Sequence, residues 1–354
     1  MNQNYQATEI AIKLTDRCGY NCASCNKPSE PSKDALSELD IYRTLKEAKA
    51  LGFNSAYAHG GEPFLKMNLL EAFISRCRAE KIDLHYLVSG GSAATSAEKV
   101  KEQFTKLHKA GLSEKTIVCI SIDDFHAENK NYFEKTANFI EGYLSFLKET
   151  FSSYSTVLIQ SKVVRSKNHD GKKAIAGLEA ALDSRALLSD KPSSLLKKIF
   201  GRPSLSLKGA EIYFQFSGLV YSGNPDLIPE MISERNKPCF ENKIYPANEN
   251  TLAVDNDGDV KPCFNFPYSF GNVLENTLTS SFESIRRDPI VRFMTENSNW
   301  QLLEKAKKIK PELKDIKFVD KCHICDIALS DKPLREEIRE NLKRKKRYYK
   351  VAAF

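Results

Sequence analysis

Three cysteines, Cys18, Cys22 and Cys25, stand in the run Cys-Gly-Tyr-Asn-Cys-Ala-Ser-Cys. Thiolates with this Cys-x3-Cys-x2-Cys spacing can bind three irons of a cubane cluster, which leaves the fourth iron without a protein ligand. No other cysteine is near in sequence. An open metal position is a catalytic arrangement, whereas structural sites are closed. The alternative for the same residues is a zinc knuckle completed from elsewhere in the chain. A second set, Cys239, Cys263, Cys322 and Cys325, supplies four thiolates, the number that closes a site. Its alternative is a zinc site that only holds the fold. Cys77 and Cys119 stand apart and read as buried apolar residues.

The elements that must position these groups follow from hydrophobic pattern. Short β-branched or aromatic runs predict strands at 9–14, 55–58, 84–88, 116–122, 156–164 and 211–216. Amphipathic segments between them predict helices. One begins at Ser37, where Asp40 makes a capping-box pattern. It places Ile41, Leu45, Ala48 and Leu51 on one face and stops at Gly52. Others are expected near 68–80, 96–110, 130–149 and 171–183. Six β/α repeats imply a parallel sheet, open barrel or doubly wound, with the active site at the C-terminal strand ends. Cys18 directly follows the first strand, at that end. After about Asn224 the alternation fades, and 232–330 reads as a small domain built around a metal. From Lys332 the chain reads as one charged helix with a basic tail.

The chain has 354 residues, enough for two domains, and 41% hydrophobic residues, ordinary for a soluble protein. No stretch approaches the roughly 20 apolar residues of a membrane span, and the N-terminus lacks a secretory pattern, so a cytoplasmic protein without a membrane partner is expected. In such a chain, clustered cysteines point to metal rather than disulfides. The net charge is +7, but Lys343, Arg344, Lys345, Lys346, Arg347 and Lys350 carry six of it, leaving +1 for the body. Charge therefore gives no nucleic-acid surface on the body. The tail reads as a solvated helix end, with an acidic partner or nucleic acid as the alternative.

The first cysteine run, followed by His59-Gly60-Gly61-Glu62-Pro63 at the end of the second predicted strand, resembles the radical S-adenosylmethionine (SAM) family. The resemblance implies a partial (β/α)6 barrel. It further implies that SAM chelates the open iron of a [4Fe-4S] cluster and is cleaved reductively to a hydrogen-abstracting 5′-deoxyadenosyl radical. Flavodoxin or ferredoxin would be the reductant. Gly60, Gly61, Glu62 and Pro63 resemble the family's GGEP motif, which meets the SAM amino group; two glycines let backbone approach a ligand, and a carboxylate suits an ammonium. Ser89-Gly90-Gly91 partly matches the third-strand motif. Ser121 and Asp123 share a strand face near the expected ribose. Gln160, Lys162 and Arg165 are all candidates for the SAM carboxylate, and the sequence leaves the choice among them open. His126 and His59 are candidates to touch substrate or SAM, or are loop residues. Cys119, on the face of Ser121, is the better of the lone cysteines for returning hydrogen to a substrate radical. The family's aromatic residue before the third cysteine is replaced by Ser24.

Gly258, five residues before Cys263, and Gly271-Asn272-Val273 after it resemble the β-hairpin of SPASM and twitch auxiliary-cluster domains. The resemblance implies an auxiliary [4Fe-4S] cluster on Cys239, Cys263, Cys322 and Cys325, with four cysteines favouring the shorter twitch type. The expected units are a core over 1–225, a cluster domain over 226–331 and the tail over 332–354. The expected function is hydrogen abstraction from a ribosomal peptide or small molecule, with net oxidation through the auxiliary cluster. Only 17 residues precede Cys18, too few for a leader-recognition domain before it. A non-catalytic metal scaffold or redox sensor, and modification of nucleic acid, are the competing readings.

Overall fold

In a computed structural model the chain is described over residues 7–22, 25, 34–151, 157–165, 172–188, 204–207, 210–218, 251–316 and 321–351. For 157–165, 204–206, 210–218, 321 and 345–351 the description is of the backbone alone. Cys239 and Ser24 lie outside the described residues.

Strands β1 (Glu9–Lys13), β2 (Ser55–His59), β3 (Asp83–Ser89), β4 (Ile117–Ser121) and β5 (Val157–Arg165) alternate with helices, as the pattern predicts. The helices are α1 (Glu38–Ala50), α2 (Met67–Glu80), α3 (Ala97–Ala110), α4 (Asp124–Ala127), α5 (Tyr132–Thr150) and α6 (Lys172–Asp183). Then come β6 (Ser204–Leu207), β7 (Ala210–Gly218), β8 (Thr251–Val254) and β9 (Val260–Lys261). The nine strands form one sheet in the order β6-β7-β5-β4-β3-β2-β1-β8-β9. Only the outermost pairs, β6 with β7 and β8 with β9, are antiparallel. The predicted capping box at the start of α1 is present: Ser37 and Asp40 each accept the other's backbone N–H.

The sheet has two unlike faces because successive residues of a strand point opposite ways. Ile10, Ile12, Ala56, Ala58, Leu87, Val118 and Ile120 join the large core under the helices. Ala11, Tyr57 and Tyr86 lie in a separate cluster with Val88, Ile117, Cys119 and Phe264. This second face is the inside of the open barrel. Register extends it upward, with Lys13 beside His59, Cys119 beside Gln160 and Ser121 beside Lys162.

Two features of the C-terminal part differ from expectation. Residues 251–254 extend the sheet, which the sequence pattern does not signal: β8 pairs in parallel with β1, Glu9 to Ile12 matching Thr251 to Val254. A four-residue strand whose partner is some 240 residues away has no local signature. Regular structure is also richer there, with α7 (Leu278–Arg287), α8 (Pro289–Glu296), α9 (Asn299–Ile309), α10 (Lys321–Leu329) and α11 (Lys332–Val351). Capping residues Thr277, Asp288 and Ser298 restart the helix every ten residues or so, which leaves each apolar stripe too short to read as a period. The last of these helices is the expected charged one.

Asp288 ties this region together. Its Oδ1 accepts the N–H groups of Ile290 and Val291 at 2.8 and 3.0 Å, and its Oδ2 meets Arg339 Nε of α11 at 3.0 Å. Asp288→Ala removes the cap and leaves Arg339 short of a partner. The expected loss is about 2 kcal/mol, read as a lower urea midpoint at unchanged m-value. An unmoved midpoint would show that α11 is not anchored through this pair.

Candidate active site and auxiliary metal centre

The loop that carries the first cysteines is fixed by backbone. At the end of β1, Leu14 N–H donates to His59 O, Gly61 N–H to Thr15 O and Glu62 N–H to Arg17 O, at 2.8, 2.7 and 2.7 Å. The glycines are required for this approach. A Cβ on Gly60 would lie 2.5 Å from Thr15 O, and one on Gly61 would lie 2.3 Å from Arg17 O. The space that Gly60 and Gly61 open is thus filled by the chain that leads into Cys18.

Glu62 then binds the third-strand loop. Its carboxylate is fully buried and accepts from Ser89 Oγ at 2.9 and 3.0 Å, Gly90 N at 3.1 Å, Ser92 N at 3.1 Å and Phe64 N at 3.4 Å. Burial pushes its pKa up, against the lowering effect of these donors. Pro63 starts the 3-10 turn Pro63–Leu65 that Glu62 caps. Ser92 passes the constraint on: its Oγ accepts from Gly19 N at 3.1 Å and lies 3.8 Å from Cys18 Sγ. Burial raises the Cys18 pKa, while the Tyr20 N–H, 3.4 Å from the sulfur, and Ser92 oppose it.

The fourth strand's loop holds the other side. Asp123 caps α4, accepting His126 N–H at 3.0 Å, and its second oxygen meets His126 Nδ1 at 2.9 Å. Desolvation pulls the His126 pKa down, but Asp123 and Cys22 together hold it above the ordinary value. Asn129 is a clamp. Its Oδ1 accepts Asn21 N–H at 2.9 Å, while its Nδ2 donates to Cys22 Sγ at 3.4 Å and to Phe125 O and His126 O at 3.1 Å. Tyr20 lies edge-on to His126 and Tyr132, with centroids 6.2 and 5.8 Å away. Asp34, absent from the sequence reading, accepts Thr15 Oγ1 at 2.5 Å, Asp16 N at 2.7 Å and Asn256 Nδ2 at 3.1 Å. It joins the cysteine loop to the turn after β8.

The second group has similar dressing. Gly258, at φ +90°, makes the turn between β8 and β9 that only glycine adopts easily. Beyond it Cys263 and Phe264 fold back over the barrel interior. The Phe264 ring sits 4.0 Å from that of His59 and 5.6 Å from that of Tyr57. Asn265 Nδ2 lies 3.5 Å from Cys322 Sγ, and Asn299 Nδ2 lies 2.9 Å from Cys325 Sγ. N–H and O–H groups aimed at sulfur suit thiolates that share charge with a cluster, so the residue types at both places suit iron–sulfur ligation, while among the described residues no three such ligands converge on one point.

The structure therefore gathers Cys18, Cys22, Gly60, Gly61, Glu62, Ser89, Asp123 and His126 around one strand-end mouth. Cys25 lies beside them, its N–H donating to Cys22 O at 3.0 Å. Glu62, Ser89 and Asp123 are engaged by protein groups, and their side chains brace the loops. Ser121 and Cys119 are on the inner face. Gln160 and Lys162 share that register, Arg165 ends the strand, and their side chains lie outside the described residues. His59 faces Phe264 instead of forming part of a turn. Cys77 is core, as expected. Sequence reasoning missed Asp34, Ser92, Asn129, Asn265 and Asn299. Ser92, next to Ser89-Gly90-Gly91, and Asn265, two residues after Cys263, sat beside recognisable motifs.

Gly61→Ala drives a methyl into Arg17 O. Anaerobically reconstituted variant should lose about four irons of the roughly eight that two cubanes hold. Asn129→Leu should load but shed iron from the same site faster on chelator challenge. Full, stable loading of both variants would mean that this bracing does not hold the cysteine loop.

Comparison with known proteins agrees with these features. The radical SAM superfamily model matches residues 12–158, and the iron-sulfur cluster-binding SPASM domain model matches 246–326. Cys18, Cys22 and Cys25 fall in the first match, and Cys263, Cys322 and Cys325 in the second. A probable GTP 3′,8-cyclase of Thermococcus kodakarensis is 26% identical over 169 residues, 47% of this chain and 50% of that protein. The antilisterial bacteriocin subtilosin biosynthesis protein AlbA of Bacillus subtilis is 26% identical over 293 residues, 79% of this chain and 59% of that one. The chain thus spans about half the length of the curated relatives it matches. In fold it is similar to Streptococcus suis SuiB bound to S-adenosylmethionine, with a TM-score of 0.50, 14% identity, and coverage of 85% of this chain and 75% of that one. Membership in these families implies a [4Fe-4S] cluster with SAM and auxiliary iron–sulfur ligation. Residues 12–158 belong to the radical SAM superfamily, and residues 246–326 to the iron–sulfur cluster-binding SPASM domain family.

Proposed function

We propose that this enzyme abstracts hydrogen from a ribosomally made peptide and completes a net oxidation, using Cys18, Cys22 and Cys25 for the SAM-binding cluster and Cys239, Cys263, Cys322 and Cys325 for an auxiliary one. When bound, the first cluster and SAM supply a hydrogen-abstracting radical. The chain's own residues hold the loops, line the cavity and exclude water. The observation that carries the reading is the contact of Phe264 with His59 and Tyr57. It sets the Cys263 loop against the interior wall on which Ala11, Tyr86 and Cys119 also lie. A substrate radical formed in that cavity is then near the auxiliary site, which favours electron removal over a redox-neutral outcome.

A peptide substrate is supported by two comparisons. The AlbA alignment covers 79% of this chain and so spans both the core and the C-terminal part. SuiB is also similar when bound to its precursor peptide SuiA, with a TM-score of 0.50 and 16% identity over 83% of this chain. Under this reading the backbone of Gly60 and Gly61 meets the SAM amino group, Ser121 lies near the ribose, and one of Gln160, Lys162 and Arg165 meets the carboxylate. Among the described residues no helix is long and apolar enough to cross a membrane. A cytoplasmic enzyme reduced by flavodoxin or ferredoxin fits.

Reduced, reconstituted enzyme should release 5′-deoxyadenosine from SAM. Cys18→Ala should abolish release, at least about a hundredfold. A Cys322→Ala/Cys325→Ala variant should keep cleaving SAM while peptide oxidation, a loss of two hydrogens by mass, disappears. No 5′-deoxyadenosine from the wild type beside a working control enzyme would end the proposal. A peptide product of unchanged mass would point to a redox-neutral reaction.

A further inference from the structure

We infer that Asn265 and Asn299 set the reduction potential of the auxiliary cluster, an inference that rests on the proposed iron–sulfur ligation by Cys322 and Cys325. Both side chains reach the Cys-His-Ile-Cys turn of α10 from other elements. Asn299 opens α9, and Asn265 follows Cys263 in the loop beyond β9. Asn299 is 2% exposed and Cys325 is 5% exposed, so their contact is shielded from water. Helix capping does not require the Asn299 side chain. Ser298 and Gln301 already form the capping box, with Ser298 N–H donating to Gln301 Oε1 at 2.8 Å. A buried amide is costly unless its polar atoms find partners, and the Nδ2 of Asn299 is spent on sulfur, 2.9 Å from Cys325. Asn265 makes the equivalent contact with Cys322 at 3.5 Å.

The two amides therefore deliver one N–H to each sulfur of the pair. A reduced cluster carries one more negative charge than an oxidised one, and part of it resides on the ligand sulfurs. Donors aimed at those sulfurs favour the reduced state and raise the potential. Hydrogen bonds to charged groups are worth more than neutral ones, so the effect is largest where water is excluded. The asparagines thus make the auxiliary cluster a better electron acceptor, the property that a net oxidation requires.

The test is an anaerobic redox titration of the full, reconstituted chain, followed by electron paramagnetic resonance with iron counted per chain. At the potential where the wild-type auxiliary cluster is half reduced, Asn299→Leu and Asn265→Leu should each raise the oxidised-to-reduced ratio about fivefold. Asn299→Gln, which keeps a donor, should stay within about twofold of wild type, and the Cys18 cluster should titrate unchanged in all variants. If Asn299→Leu fails to hold iron, Asn265→Leu carries the measurement. Loss of iron from both leucine variants would overturn the inference in favour of a purely structural role. An unmoved midpoint at full iron, in enzyme that still releases 5′-deoxyadenosine, would overturn the inference alone. Stoichiometric zinc at Cys322 and Cys325 would overturn it together with the proposed ligation.

Discussion

A buried carboxylate is tolerable only when both oxygens are met by donors, and Glu62 meets that condition by drawing three loops together. Its backbone N–H is paired to Arg17 and its side chain to the 89–92 turn. Ser92, held by that side chain, receives the Gly19 N–H beside Cys18. The cysteine loop takes its place from this chain of bonds. Removing the Glu62 carboxylate would leave Ser89, Gly90 and Ser92 without their acceptor, so the mouth of the barrel depends on one side chain that never reaches solvent.

The same economy appears on the opposite side of the loop, where Asn129 closes the Asn21 N–H and touches Cys22. An asparagine can accept and donate at once, which suits it to joining a loop backbone to a sulfur. Asn265 and Asn299 likewise donate to the sulfurs of Cys322 and Cys325. Cys18 and Cys22 stand in a loop and Cys322 and Cys325 in α10, and short polar side chains from elsewhere in the chain reach their sulfurs. Such contacts matter because an iron–sulfur site is tuned by the hydrogen bonds around its sulfurs as well as by the ligands themselves.

The two cysteine groups are linked by the sheet. β8 adds to the edge of β1, the strand that delivers Cys18, and β9 turns back toward Cys263. Asp34 fastens the turn after β8 to the loop before Cys18. Residues 251–264 are thereby built onto the sheet, and Phe264 packs against Tyr57 and His59 on its inner face.

Local pattern determined much of this in advance. The spacing of Cys18, Cys22 and Cys25, the Gly60-Gly61-Glu62-Pro63 run and the alternating strands and helices up to α6 are short-range features, and the structure places them at one strand-end mouth. The roles of the motif residues were a different matter. Gly60 and Gly61 looked like room for a ligand and Glu62 like a partner for an ammonium. In the fold, the glycines admit the backbone of Thr15 and Arg17, and the carboxylate locks the next loop. The return of β8 to β1, the position of Phe264 over His59, and the choice of Ser92, Asn129, Asn265 and Asn299 as sulfur neighbours were decided only in three dimensions. Each depends on groups that lie tens to hundreds of residues apart, and a single polar side chain carries no periodicity that would announce its partner.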